Sequence, residues 1–156
     1  MPEPTTKREL LENWLRRLRI LEACHYEAAR PYSRGHLALG IPMTILTTIV
    51  GTTVFATLEK EVDMRSRVIV GSISVLAAIL AGLQTFLQLG SRAAGHRSLA
   101  TKIGPTRRLL EQMLIGDANS IPDDKIDALR VQIDQLASAS ETIPPRVYDK
   151  VKARIK

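Results

Sequence analysis

The amino-acid sequence predicts an all-α fold: an integral membrane helical hairpin of two transmembrane helices with cytoplasmic helices on its N- and C-terminal sides. Two observations lead there. Leu37 to Leu58, LALGIPMTILTTIVGTTVFATL, is 22 residues without a charge, and Val68 to Ser91, VIVGSISVLAAILAGLQTFLQLGS, is 24 residues without a charge. At 1.5 Å per residue these reach ~33 and ~36 Å, against a hydrocarbon core about 30 Å thick. A core helix of a soluble bundle needs a polar face, and neither block offers a charge on any face. The third observation is the link between them, EKEVDMRSR, residues 59 to 67. So short a connection forces the two helices to lie side by side and antiparallel.

The whole-chain averages conceal this. Hydrophobic residues make up 45% and charged residues 24% of the 156, values that suit an ordinary soluble domain. The apolar residues, however, are gathered in the centre, with polar arms on both sides. Residues 5 to 30 read as an amphipathic helix. Thr5 or Thr6 can cap it, with Glu9 three residues beyond Thr6. Leu10, Trp14, Leu18 and Leu21 make its apolar stripe, while Arg16, Arg17 and Arg19 stay largely outside it. Pro31 is expected to end or bend this helix. Val54-Phe55-Ala56 has the look of a signal cleavage site, but the apolar stretch before it is too long and a second span follows closely, so the hairpin is expected to remain uncleaved.

Beyond the second span, residues 92 to 156 are expected to be cytoplasmic helices. Polar helix continues to about Leu114, with a possible break at Gly104-Pro105. GDANS, residues 116 to 120, reads as a linker. Pro122 opens a further helix with Ser120 and Asp123 in cap-like positions. Within it Ile126, Leu129, Ile133 and Leu136 repeat at 3-4-3 spacing. Two readings stand open for this seam: association between copies, or packing on the N-terminal helix. Thr142-Ile143-Pro144-Pro145 breaks the chain again, and Val147 to Ile155 reads as a short basic helix.

Charge sets orientation. The chain carries 22 Lys and Arg against 16 Asp and Glu, a net +6. Arg30 and Arg34 precede the first span. Arg92, Arg97, Lys102, Arg107 and Arg108 follow the second. The link holds Lys60, Arg65 and Arg67 beside three acids. This basic excess outside the link favours both termini in the cytoplasm. No aromatic platform is interleaved with the basic residues, so no nucleic acid is expected as a partner, and anionic lipid headgroups fit the charge better.

The residues give no sign of catalysis, and the expectation is that the protein is not an enzyme and takes no cofactor or metal. One cysteine, Cys24, excludes an intramolecular disulfide and a CxxC knuckle, and His25 beside it points elsewhere on a helix. No phosphate-cradling glycine loop, HExxH or GxSxG occurs. His36 and His96 flank the hairpin and are expected at the cytoplasmic interface, as hydrogen-bonding residues or as pH sensors.

The informative chemistry lies inside the spans. The second has small residues at Gly71, Ser74, Ala78, Ala81 and Gly82, a face that lets backbones approach closely in lipid. The first has Thr44, Thr47, Thr48 and Thr52. Gln84 and Gln88 lie toward the end of the second, and Gln84 falls at the depth of Thr44. Either Gln84 and Thr44 hydrogen-bond to hold the hairpin, or the glutamines and threonines line a wet path. One hairpin encloses no pore, so the wet path requires a homo-oligomer.

The stretches HYEAARPYSRGHLALGIP, TTIVGTTVFATLEKEV and VIVGSISVLAAILAGLQTFLQLGSRAAGHRSLA, with the later IPPRVYDKV, closely resemble the SLATT family of bacterial two-helix membrane proteins over roughly residues 10 to 155. The first span with its entry and exit is the distinctive part. The resemblance implies an effector of bacterial conflict systems driven by nucleotide second messengers, which forms a pore or disrupts the membrane and thereby kills or arrests an infected cell. It implies a sensor or nucleotide-signalling protein as partner and brings no catalytic residues. The competing expectation is a membrane-anchored interaction module whose cytoplasmic helices recruit a partner.

Overall fold

The computed structural model describes residues 4–56 and 63–155. Among them every regular element is helical: α1 (Lys7–Ala56), α2 (Met64–Leu87), α3 (Leu89–Ile115), a 3-10 turn (Ala118–Ser120), α4 (Asp123–Ser138) and α5 (Pro145–Arg154). The residues fall into two compact units, one built from the chain up to Arg30 and from Ala93 onward, the other from Pro31–Arg92.

The first unit is a small helical domain with its own core. Its α1 segment starts where a capping box fixes it: the Thr6 hydroxyl accepts from the Glu9 N–H at 3.2 Å, and the Glu9 carboxylate accepts from the Thr5 N–H at 2.8 Å. Hydrogen bonds from the Thr5 N–H and hydroxyl hold the Glu9 carboxyl below its ordinary range. Leu11, Leu15 and Leu18 of α1 meet Leu99, Ile103 and Leu110 of α3, Ala118 of the turn and Leu129 of α4. Trp14, Leu21, Ile133 and Leu136 close around them. The 3-4 spacing on each helix turns one stripe inward, which is what makes three short amphipathic stretches into one core. Ion pairs tie the rim: Arg107 to Glu22 at 2.8 Å, Arg19 to Glu111 at 2.8 Å and Lys7 to Asp123 at 2.6 Å. A second, smaller cluster joins Ile20 and Cys24 of α1 to Val151 of α5, with Ile143, Val147 and Ile155 around it. Lys150 anchors the same helix through the Glu27 carboxylate at 2.6 Å.

The seam on α4 is therefore turned toward this core. Ile126 is 9% and Leu129 2% exposed, and Ile133 and Leu136 are partly buried against the same cluster. Of the two readings left open for this seam, packing within the domain accounts for Ile126 and Leu129, whereas Ile133 and Leu136 stay half-buried. Two expected breaks are absent. α1 runs through Pro31 and Pro42, and α3 through Pro105; each proline removes one backbone donor without ending its helix. GDANS is a compact turn whose Ala118 is buried, with Asp117 accepting from the Asn119 N–H at 3.0 Å. Pro122 itself is the cap of α4, with no side-chain hydrogen bond from a neighbouring residue.

The second unit is an antiparallel pair. Gly35 faces Leu89, His36 faces Gly90 and Gly40 faces Gln84, so the register advances on one helix as it recedes on the other. Along α1 from Gly35 onward the half-buried positions are Gly35, His36, Leu39, Gly40, Met43, Leu46, Val50, Gly51 and Thr53; along α2 they are Val70, Ile73, Ser74, Leu80, Ala81 and Gln84, with Ala77 buried. The rest of both apolar stretches is uncovered. Of the most apolar window in each helix, 0% of the first and 6% of the second is buried. Both are long and apolar enough to cross a membrane. The core helix of a soluble protein would be mostly enclosed. The expected link 59–67 is partly helix, since α2 starts at Met64; Glu59, Lys60 and Glu61 lie outside the described residues.

The second apolar stretch is not one helix. Gln88 takes a left-handed conformation, φ 48° and ψ 35°, and separates α2 from α3. Its N–H still bonds the Gln84 carbonyl at 3.3 Å, and Arg92 bonds back to its carbonyl at 3.0 Å. A residue with a side chain costs roughly 1–2 kcal/mol there. Gln88→Gly should therefore raise stability by about 1 kcal/mol, read as a higher midpoint of thermal unfolding in detergent. Leu129→Ala should lower it by about 2–4 kcal/mol while leaving the oligomer distribution on size-exclusion chromatography unchanged, because the lost contacts are within one chain.

Candidate functional site

Three polar residues of the hairpin, His36, Gln84 and Gln88, line one region. Gln84 of α2 reaches across to α1 and lies over Gly40; a β-carbon added at Gly40 would meet its amide at 3.5 Å. The Gln84 Oε1 is buried and has no hydrogen-bond partner. An unpaired amide oxygen withdrawn from water costs about 1–3 kcal/mol, more than an anchoring helix needs to spend. Two grooves meet at this side chain. One, about 490 Å³, is lined by His36, Met43, Ala81, Gln84, Gln88 and Ser91 among others. The other, about 420 Å³, is lined by His36, Gly40, Thr44 and Gln84 with apolar neighbours. The His36 ring lies beside Gly90, where an added methyl would stand 3.3 Å from it.

The expected pairing of Gln84 with Thr44 is not made. The Thr44 hydroxyl donates to the Gly40 carbonyl at 2.9 Å. Thr47 donates to Met43 at 3.0 Å, Thr48 to Thr44 at 2.8 Å and Thr52 to Thr48 at 3.0 Å. Each is an exposed threonine bonded to its own helix one turn back. They therefore lie outside the seam, on the outer surface of the hairpin, and their hydroxyls are satisfied without a partner helix.

The small residues divide between two faces. Ser74 and Ala81 are half-buried toward α1, whereas Gly71, Ala78 and Gly82 are exposed. A β-carbon at Gly71 or Gly82 would meet nothing within 4 Å. Within one chain Ala77, Ser74, Ala81 and Gln84 make the contact across the hairpin, and Gly71, Ala78 and Gly82 look outward.

His96 is also placed differently from expectation. It is 2% exposed in the first unit, with its Nδ1 2.9 Å from the Nδ1 of His25, itself 0% exposed. The pairing joins positions 71 apart, and no local pattern announces it. Burial and the nearby His96 charge lower the His25 pKa, against the opposing pull of Glu141. Burial likewise raises the Cys24 thiol, which suits an inert packing residue. Among the described residues no group of three or more His, Cys, Asp or Glu could hold a metal ion. The chemistry available in the hairpin is therefore hydrogen bonding to water or a small polar solute, by an orphaned amide, an imidazole and a second glutamine.

No family model, no curated protein and no solved structure matches this chain.

Proposed function

We propose that the protein inserts its hairpin into the bacterial cytoplasmic membrane with both termini in the cytoplasm, assembles with copies of itself, and acts without catalysis as an effector that lets ions or water leak through the bilayer. The observation that carries this reading is Gln84: a buried, unpaired amide oxygen between two helices whose remaining surface is apolar and uncovered. In lipid such a group is costly, and water or a neighbouring subunit is what relieves it. The outward glycines at Gly71 and Gly82 support close approach of a second hairpin. An antiparallel pair leaves both of its outer ends on one side of any bilayer it spans, and the basic excess beside those ends favours the cytoplasm. The resemblance to SLATT proteins supplies the biological setting, defence against phage or rival elements by arrest or death of the cell, with a nucleotide-signalling or sensor protein as trigger.

A second reading has its own support. The threonines are satisfied by their own backbone, and the first unit has a complete core. An anchored module that recruits a cytoplasmic protein needs no more than that.

Orientation is tested with thiol chemistry. In a Cys24→Ala background, Ser66→Cys on intact cells should react with a membrane-impermeant maleimide, whereas a cysteine at exposed Lys152 should react only after permeabilisation; the opposite pattern reverses the topology. For leakage, Gln84→Leu should preserve insertion and lower ion flux from loaded vesicles by tenfold or more. Gly82→Leu should leave the hairpin folded and shift the oligomer toward monomer. Native oligomers that pass no ions, with or without the products of neighbouring genes, would favour the anchored module.

A further inference from the structure

Two buried imidazoles set a limit on protons. His25 of α1 and His96 of α3 stand with Nδ1 atoms 2.9 Å apart and ring centroids 5.2 Å apart. At that distance one proton between the rings makes a hydrogen bond, and two place N–H against N–H. The outer nitrogens reach one short segment. His25 Nε2 is 3.0 Å from the Ser140 Oγ, and His96 Nε2 is 3.4 Å from the Glu141 Oε2. Ser140 and Glu141 lie in the connection between α4 and α5. The Glu141 carboxylate rests so close over Gly95 that a β-carbon there would collide with it, so the glycine is what admits the carboxylate to α3. In a neighbouring cluster, Val151 of α5 packs against Ile20 and the fully buried Cys24 of α1.

With both rings neutral one arrangement satisfies every group. The Ser140 hydroxyl donates to His25 Nε2, His25 Nδ1–H donates to His96 Nδ1, and His96 Nε2–H donates to the Glu141 carboxylate. One added proton also fits. His96 then donates from Nδ1 to His25 Nδ1, His25 donates from Nε2 to the Ser140 oxygen, and the Ser140 hydroxyl turns to the Glu141 carbonyl, 3.3 Å away. A second added proton has no place while the rings face one another.

We propose that His25 and His96 form a one-proton site that latches the α4–α5 connection onto α1 and α3, and that entry of a second proton opens the latch and frees α5. The described contacts of the pair are made by the two rings themselves, Ser140 and Glu141; α5 contributes the apolar Val151 to the adjoining cluster. The sign follows from the count. Separated imidazoles each take a proton near their ordinary pKa of about 6.5, whereas the closed pair takes at most one. The latch keeps its full stability above about pH 6.5 and loses it as pH falls from there toward the lowered pKa of His25. Its lowering by burial and by His96 agrees with this direction.

Cys24, the one cysteine of the chain, reports the opening. In full-length protein in nanodiscs, its reaction with 4,4′-dithiodipyridine, normalised to a small thiol at each pH, should accelerate by up to about tenfold per pH unit below about 6.5. His25→Gln leaves a single ring that takes its proton without collision, so its profile should be flat between pH 8 and 5. A flat native profile, or an undiminished slope in His25→Gln, overturns the proposal. Hydrogen exchange on the native chain, corrected for intrinsic rates, gives a reading that needs no variant. Between pH 7.5 and 5.5, protection should fall over residues 139–155 and hold over 99–110. Uniform loss across the domain, or none, overturns it equally.

Discussion

An apolar surface that the chain does not bury governs the rest of the structure. Two helices of the hairpin turn only a narrow stripe toward each other and leave the remainder of their aliphatic side chains uncovered. Exposed to water, such a surface would cost about 25 cal/mol for each Å²; in hydrocarbon it costs nothing, provided the backbone satisfies its own hydrogen bonds. Helices meet that condition. The constraint explains why the polar residues tolerated in this part of the chain are threonine, serine and glutamine, and why charge is confined to its ends.

Stability is then divided unevenly. The helical domain formed by the arms draws on ordinary burial, with Leu11, Leu18, Ile103 and Leu110 almost fully enclosed. The hairpin has one buried side chain on α2, Ala77, and bears two local costs close together, the unpaired Gln84 oxygen and the left-handed Gln88. Strain and unsatisfied polarity at one end of an otherwise regular hairpin mark where the structure is least committed to a single packing. The ion pairs of the arms are mostly half-exposed and define register more than they add stability.

The two apolar helices were legible because their sequence leaves no charged face, a property that survives any error in helix boundaries. The apolar stripe of α4 was legible for a similar reason, since Ile126, Leu129 and Ile133 repeat with the helical period whatever they pack against. On α1 the stripe read as Leu10, Trp14, Leu18 and Leu21 is rotated, with Leu11, Leu15 and Leu18 buried. Rotation about the α2 axis was not legible. Ser74 and Ala81 belong equally to the inward face and to its small-residue neighbour, and only Ala77 and Gln84, placed against α1, decide between them. The break at Gln88 carries no signal, since glutamine is not a residue that seeks left-handed backbone and Gly90 stands nearby as the more obvious candidate. Pro31 and Pro105 signal helix ends that do not occur, because one missing donor does not stop a helix. The His25–His96 contact spans 71 positions and is visible only once α1 and α3 are packed.

The threonines of α1 give the hairpin a surface with two faces in one side chain. With each hydroxyl folded back on a carbonyl of the preceding turn, the outside of the helix shows methyl groups and resembles a run of valines. Threonine in a helix divides between two χ1 rotamers, and rotation between them takes picoseconds to nanoseconds at an exposed site. Wetting of this surface is thus a rotamer event. The same stretch can shed water as a hydrophobic constriction does, or hold a file of it, with the backbone left where it stands.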